Sequence, residues 1–221
     1  MTVLEAVSAR HSVRQYENRP IAPDAKLALN LEIERCNRES GLHIQLITDE
    51  PKAFEGFLPH YGKFSGVTNY LALVGPKSAK LDELCGYYGE HLVLLAQTLG
   101  LNSCWVALTF RKIPGTYIVD DGEKLCVVIA LGYGKTQGVQ HKSKDAAEIA
   151  EYSGEEPAWF TRGVEAALLA PTAVNQQQFE IKGDGSRVKI KAKRGFFNNV
   201  DLGIVKYHFE AGAGKENFEF V

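Results

Sequence analysis

The sequence predicts an α+β protein in which the later part of the chain repeats elements of the earlier part. Three observations carry that expectation. Apolar runs of strand length alternate with long helical patterns through the first 150 residues. Two short strand-like runs flank Gly183-Asp184-Gly185 and read as an antiparallel hairpin. The chain also restarts at Pro157, after a polar link, with a fresh series of helix, two strands and helix.

Val3, Leu4, Ala6 and Val7 stand at helical spacing, so Thr2 to Ala9 is expected to form a short helix running into Arg10-His11-Ser12-Val13-Arg14. Pro23-Asp24 opens a second helix, with Leu27 and Leu31 on its stripe and Gly41 as its stop. Leu42 to Ile47 alternates at period two, as a strand does. Phe57 to Thr68, rich in glycine and aromatic residues, reads as a loop before the strand Tyr70 to Val74. Leu84 to Leu99 is a long, largely apolar helix stopped at Gly100. Ser103 to Val106 and Leu125 to Ala130 read as buried strands, the second leaving through Gly132-Tyr133-Gly134. The link Lys135 to Lys144 leads to a short helix, Asp145 to Glu151. Beyond Pro157, Trp159 to Leu169 is amphipathic and stops at Pro171. Phe179 to Lys182 and Arg187 to Ile190 form the hairpin, and a last helix runs from Val200 to about Ala213.

The repeat rests on few identities. Leu31-Glu32-Ile33 aligns with Val164-Glu165-Ala166, and Gly86, His91 and Ala96 align with Gly203, His208 and Ala213. The two offsets differ because the second copy has a shorter middle.

Composition narrows the function. The 221 residues are 45% hydrophobic and 24% charged, with net charge −2, which is ordinary globular usage. No broad basic surface argues for nucleic acid or an anionic membrane, so an anionic ligand needs a local cation cluster. Cys36, Cys85, Cys104 and Cys126 are scattered, without a C-x-x-C pair or zinc spacing, which points to buried thiols in a reducing compartment and to no metal. The N-terminus reads as lacking a signal peptide and the apolar runs are too short for a bilayer, so a soluble, cytoplasmic protein is expected.

Three segments stand out chemically. Arg10-His11-Ser12-Val13-Arg14-Gln15-Tyr16 offers two guanidinium groups with a hydroxyl between them, a donor set that suits a phosphate; a solvated charged turn is the competing account. Ala170-Pro171-Thr172-Ala173-Val174-Asn175-Gln176-Gln177-Gln178 combines a proline stop, small residues and amides. A flat heterocycle with alternating donors and acceptors suits such a loop, as does an ordinary helix-to-strand connection. His141-Lys142-Ser143-Lys144 alone is a solvated charge run.

Taken together these segments resemble the FMN-dependent nitroreductase family. Arg-His-Ser-x-Arg-x-aromatic resembles its opening signature, and Ala-Pro-Thr-Ala-x-Asn-x-Gln its second, with Thr172 in place of serine. Gly100-Leu101-Asn102-Ser103-Cys104-Trp105-Val106 resembles its central helix-to-strand segment. Leu131-Gly132-Tyr133-Gly134, followed by Lys142 and Lys144, resembles the glycine exit and the terminal basic pair. The resemblance implies a nitroreductase-like α+β fold, a mixed, mostly antiparallel sheet flanked by helices. Family members are intertwined homodimers with flavin at the interface. Here the place of the first Pro-Ser-x-x-Asn element holds Cys36-Asn37-Arg38-Glu39-Ser40-Gly41-Leu42, whereas the second half has that element but no Arg-x-Ser-x-Arg. The complementary losses imply a fused pseudo-dimer with internal pseudo-twofold duplication, a first half 1–150 on the phosphate side and a shorter half 151–221, one composite site, and a monomeric chain.

By the same resemblance Arg10, His11, Ser12, Lys142 and Lys144 are expected at the FMN phosphate, and Arg14 near N1 and O2 of the ring. Pro171, Thr172, Ala173, Asn175 and Gln177 are expected to line ring and ribityl chain. The backbone of Val106, Ala107 and Leu108 is expected near N5, although the family often has glycine there. The implied reaction is ping-pong: NAD(P)H gives hydride to N5 and a small electron-poor acceptor of nitroaromatic or quinone kind then enters, with no side chain as acid, base or nucleophile. His11, His60 and His91 therefore receive no catalytic role, and Trp105, Phe110, Phe196 and Phe197 roof the pocket or, taken singly, pack in the core. A flavin-binding protein without turnover and a ligand-free structural protein are the rival readings.

Overall fold

The computed structural model describes residues 1–221. In chain order the elements are α1 (Val3–Ala9), α2 (Pro23–Ser40), β1 (His43–Ile47), α3 (Phe57–Tyr61), β2 (Asn69–Pro76), α4 (Leu81–Thr98), β3 (Asn102–Val106) and β4 (Glu123–Gly132). They continue with α5 (Ala146–Ile149), β5 (Ala150–Ser153), α6 (Ala158–Leu168), β6 (Phe179–Asp184), β7 (Arg187–Ala192), α7 (Asn198–Ala213) and β8 (Glu219–Phe220). This is the expected α+β class. No helix is long and apolar enough to cross a membrane. The chain divides into two compact units, one of residues 9–81 and 92–139, the other of residues 1–8, 82–91 and 140–221. These units are drawn differently from sequence halves 1–150 and 151–221, because residues 1–8, 82–91 and 140–150 all fall in the second unit.

The first unit is built on an antiparallel sheet in the order β1-β2-β4-β3. The central strands carry apolar residues on both faces, which is why they read as continuous runs and not as alternation. Tyr70, Ala72 and Val74 of β2 join Val128 and Ala130 of β4 in a core with Phe54, Phe64 and Phe110. Leu131 packs on the opposite side with Leu29, Ala96 and Leu101. Each valine, leucine and phenylalanine among them contributes roughly 1.5–3 kcal/mol relative to exposure. α2 ends where expected, since Gly41 takes a left-handed φ of 71° and returns its N–H to Asn37. The segment read as a loop at Phe57 to Thr68 contains α3 instead. Its Phe57 and Tyr61 are 81% and 77% exposed, so no buried stripe marked it in the sequence.

The second unit holds a mixed sheet in the order β5-β6-β7-β8, with β5 parallel to β6 and β8 parallel to β7. β5 takes residues assigned above to the end of a short helix. Tyr152 explains the switch: its ring meets Phe160 edge-on at 4.9 Å and its hydroxyl donates to Gly185 O at 2.8 Å. α6 and α7 pack closely, because a Cβ at Gly163 would lie 2.7 Å from the Phe209 ring and one at Gly212 would lie 2.5 Å from Arg162 O.

Within this unit the first half of α4 crosses α7 at Gly86 and Gly203. A Cβ on Gly86 would stand 2.0 Å from Val200 O, and one on Gly203 would stand 2.0 Å from Glu83 O. A shift of 117 residues takes Gly86 to Gly203 and also takes Glu83 to Val200, so these contacts are reciprocal. The same shift relates His91 Nδ1 to Tyr207 Oη, 2.6 Å, with His208 Nε2 to Glu90 Oε1, 2.9 Å. Reciprocity of this kind is what an isologous contact about a twofold axis would produce. Lys206 with Glu83 and Tyr87 with Glu210 extend the seam. Tyr87 Oη donates to Glu210 Oε1 at 2.7 Å, and burial with that carboxylate holds the phenol well above its ordinary pKa. Tyr87→Phe is expected to cost about 1 kcal/mol in urea unfolding, the net worth of one such bond.

Candidate functional site

In the first unit the arginine motif is an extended segment stitched along the sheet. Val13 N–H donates to Ser103 O at 3.0 Å, Tyr16 N–H to Ser65 O at 2.9 Å and Lys135 N–H to Gln15 O at 2.9 Å. Tyr16, 1% exposed, anchors it by donating its hydroxyl to Val13 O at 2.7 Å. The glycine exit serves the same packing, since a Cβ at Gly134 would lie 2.8 Å from Val13 Cγ1. Gly138, with φ +75°, brings the following chain so near that its Cβ would lie 2.7 Å from that of His11.

The Cys104 thiol is influenced by Arg14, Ser12 and Arg10. Burial pushes that thiol up, while Arg14, a hydrogen bond with the Ser12 hydroxyl, and Arg10 all oppose the rise. Arg10 is buried at 3% exposure, Ser12 is half-buried and Arg14 is exposed. Val106 closes β3 as a core residue, Ala107 is half-buried, and Leu108 is 72% exposed on the loop that follows.

In the second unit the Pro171-to-Gln178 loop joins α6 to β6, with Pro171, Thr172 and Ala173 all half-buried. Val174, Asn175 and Gln177 have φ of 47°, 56° and 45°. Non-glycine residues in that region cost of order 1–3 kcal/mol each, so neighbours must over-determine the shape. Two sets of bonds do so. Asp201 on α7 accepts the Ala173 N–H on both carboxylate oxygens, at 3.0 and 3.1 Å, and accepts Gln176 Nε2 at 2.7 Å. Gln177, 2% exposed, accepts Lys144 N–H at 2.9 Å and donates to Lys142 O at 2.8 Å and to Asn175 Oδ1 at 2.9 Å.

Asn175 Nδ2 donates to Lys142 O at 2.9 Å, and Lys144 Nζ donates to Gln177 O at 2.9 Å. The basic pair and the amide loop, more than thirty residues apart in sequence, are thus one structure. His141 Nε2 and Ser143 Oγ both bond Leu168 O at 3.0 Å, fixing the extended segment that carries the lysines. Lys142 is exposed and Lys144 half-buried.

Several expected residues have different surroundings. Gln177 has its donors and acceptor engaged with residues 142–144 and Asn175. Phe110 is a core residue, whereas Phe196 and Phe197 are 76% and 40% exposed on the turn before α7. His91 is half-buried against Tyr207, and His208, fully buried, is bonded to Glu90 and Ala166 O. Asp201 and Gln176 escaped sequence reasoning, because one sits alone in a helix pattern and the other among three successive glutamines.

A family model described as "Putative TM nitroreductase" matches residues 2–213. No curated protein matches the chain. Among solved structures, a putative nitroreductase from Thermotoga maritima has TM-score 0.70 and 23% identity, over 98% of this chain and 85% of that one. A putative nitroreductase from Desulfovibrio desulfuricans, solved with FMN, has TM-score 0.50 and 18% identity, over 71% and 98%. A putative NADH dehydrogenase/NAD(P)H nitroreductase from Bacteroides thetaiotaomicron has TM-score 0.52 and 18% identity, over 66% and 95%. At these identities the likeness shows the fold, and the fold is nitroreductase-like.

Proposed function

The chain belongs to the nitroreductase family whose model it matches, and from that premise we propose an FMN-dependent oxidoreductase that takes hydride from NAD(P)H and reduces a small electron-poor acceptor of quinone or nitroaromatic kind. The observation that carries the reading is the bonded union of Lys142 and Lys144 with Asn175 and Gln177. Two segments that each suit one part of a flavin nucleotide are held together by the buried amide of Gln177 and the exposed one of Asn175, which a solvated charge run does not need.

The residues fit the cofactor. FMN brings a phosphate of nearly two negative charges, and Arg10, His11 and Ser12 of one unit and Lys142 and Lys144 of the other are the charged and hydroxyl donors proposed for it. Arg14 suits N1 and O2 of the ring, where a fixed cation raises the potential. Pro171, Thr172 and Ala173 bring a narrow backbone to the ring and ribityl chain. Asn175 contributes its second amide hydrogen, since the first is given to Lys142 O. Gln177 acts through the lysine segment, by orienting Lys142 and Lys144. When bound, FMN supplies the two-electron exchange between dinucleotide and acceptor.

The chain is further proposed to be a fused pseudo-dimer of halves 1–150 and 151–221, monomeric, with one composite site. The reciprocal contacts about Gly86 and Gly203 support that history. The test is flavin released from the purified protein, identified by mass spectrometry and counted against chains. One FMN per chain is expected; two would mean that a second site survives, and none would sink the reading. Leu108, bulky and exposed where the family often has glycine, favours flavin binding without turnover as the second reading. NAD(P)H oxidation with a quinone decides between them: steady consumption supports the enzyme, and bound flavin without consumption supports the binder.

A further inference from the structure

We propose that Asp201, through Ala173 and Gln176, is the positioning residue that sets the FMN-binding conformation of the Pro171-to-Gln178 loop. The proposal rests on the FMN reading above and adds to it a residue outside the recognised motifs.

The loop cannot hold its shape by local preference. Val174, 88% exposed, is β-branched and sits at φ 47°, where nothing in its own packing compensates the strain. The compensation comes from its flanks. On one side Ala173 points its N–H into the Asp201 carboxylate, and on the other Gln176 reaches the same group. Gln176 Nε2 also donates to Phe196 O at 2.7 Å, and its Oε1 accepts the Phe196 N–H at 3.3 Å. Gly195 is bare where Gln176 lies, because a Cβ there would stand 2.5 Å from Oε1. A single buried acceptor on a rigid helix thereby clamps both ends of the strained Val174-Asn175 step.

The chemistry requires a carboxylate. Two donors, one backbone and one amide, converge on it, and an ionised carboxylate is acceptor-only. Protonation, or replacement by asparagine, turns one of its atoms into a donor and opposes one of the two contacts. Burial raises the Asp201 carboxyl from its ordinary 3.8 to about 6, with Gln176 and the Ala173 N–H pulling it back, and no charged side chain takes part in the shift. The sign follows: a raised acid favours the protonated fold, a stabilisation present below about pH 4 and lost as the pH climbs through 6. Ionised Asp201 thus shapes the loop at some cost to global stability, which separates positioning from scaffolding.

The experiment compares FMN affinity in wild type and Asp201→Asn between pH 5 and 8, with thermal unfolding of both apoproteins at pH 8. At pH 8 Asp201→Asn is expected to bind FMN about tenfold more weakly while unfolding no earlier than wild type. The ratio of the two affinities is expected to shrink towards pH 5 as the wild-type carboxyl protonates; FMN phosphate titration is common to both proteins and cancels. Gln176→Ala, on the half-exposed loop, is expected to lose about fivefold on its own and guards against a misfolded Asp201 variant. Equal affinities across the range for both variants overturn this proposal while leaving FMN binding intact. Weaker binding with an unchanged ratio at every pH also overturns it, by reducing Asp201 to a packing group. A wild type that binds no FMN overturns both readings.

Discussion

Arg10→Ala is expected to raise the FMN dissociation constant by on the order of 10- to 150-fold, equivalent to about 1.5–3 kcal/mol, with little change for riboflavin. Arg10 is buried at 3% exposure, so its guanidinium meets a ligand in a medium where charge is poorly screened by water. Truncation removes charged donors in a planar fork, which a phosphate accepts better than any point charge. Arg10→Lys keeps the charge and loses the fork, so an intermediate loss is expected. Riboflavin lacks the phosphate and therefore reports whether the variant has disturbed the rest of the site. Equal weakening for both flavins would place Arg10 away from the phosphate. Unchanged FMN affinity in isothermal titration would remove Arg10 from the site altogether.

The sequence revealed elements where periodicity and punctuation agreed. α2 has proline at its start and glycine at its end, β2 and β4 are uninterrupted apolar runs, and the β6–β7 hairpin turns at Gly185, whose φ is 56°. It was silent where structure depends on partners distant in the chain. β5 and β8 are short and owe their place to Tyr152, Trp159, Phe218 and Phe220, whose rings pack on one another and on Phe160 and Phe209. α3 buries Pro59 alone and was invisible to periodicity. The candidate site shows the same division. Arg10, Ser12, Arg14, Lys142 and Lys144 stand out only through the resemblance to the nitroreductase signatures, since residue types and spacing alone suit a solvated charged turn and a charge run equally well. Asp201 does not, since an aspartate in the first turns of a helix is expected as a partner of the helix dipole. Gln177 was legible as important, but its task required the geometry: a glutamine with every polar atom bonded to backbone or Asn175 braces its neighbours.

The weak repeat in the sequence becomes a mechanical statement at the α4–α7 crossing, and Gly203→Ala tests it. The added Cβ would stand 2.0 Å from Glu83 O and 2.5 Å from Tyr87 N, both backbone atoms that cannot rotate away. The helices must part, and a destabilisation of about 3 kcal/mol or more is expected in denaturant unfolding, at the severe end for overpacking. Gly86→Ala is expected to cost a similar amount, because its Cβ would meet Val200 O at the same 2.0 Å. Parting the helices once makes room for both methyl groups, so the double variant should lose far less than the sum of the single losses. A mutational cycle in which the two losses add would mean that the glycines act independently and that the crossing is no twofold contact. A loss below about 1 kcal/mol for either single variant would mean that the helices are not held in register by backbone approach, and the pairing of Glu90 with His208 and of His91 with Tyr207 would then be the sole ground for the symmetry.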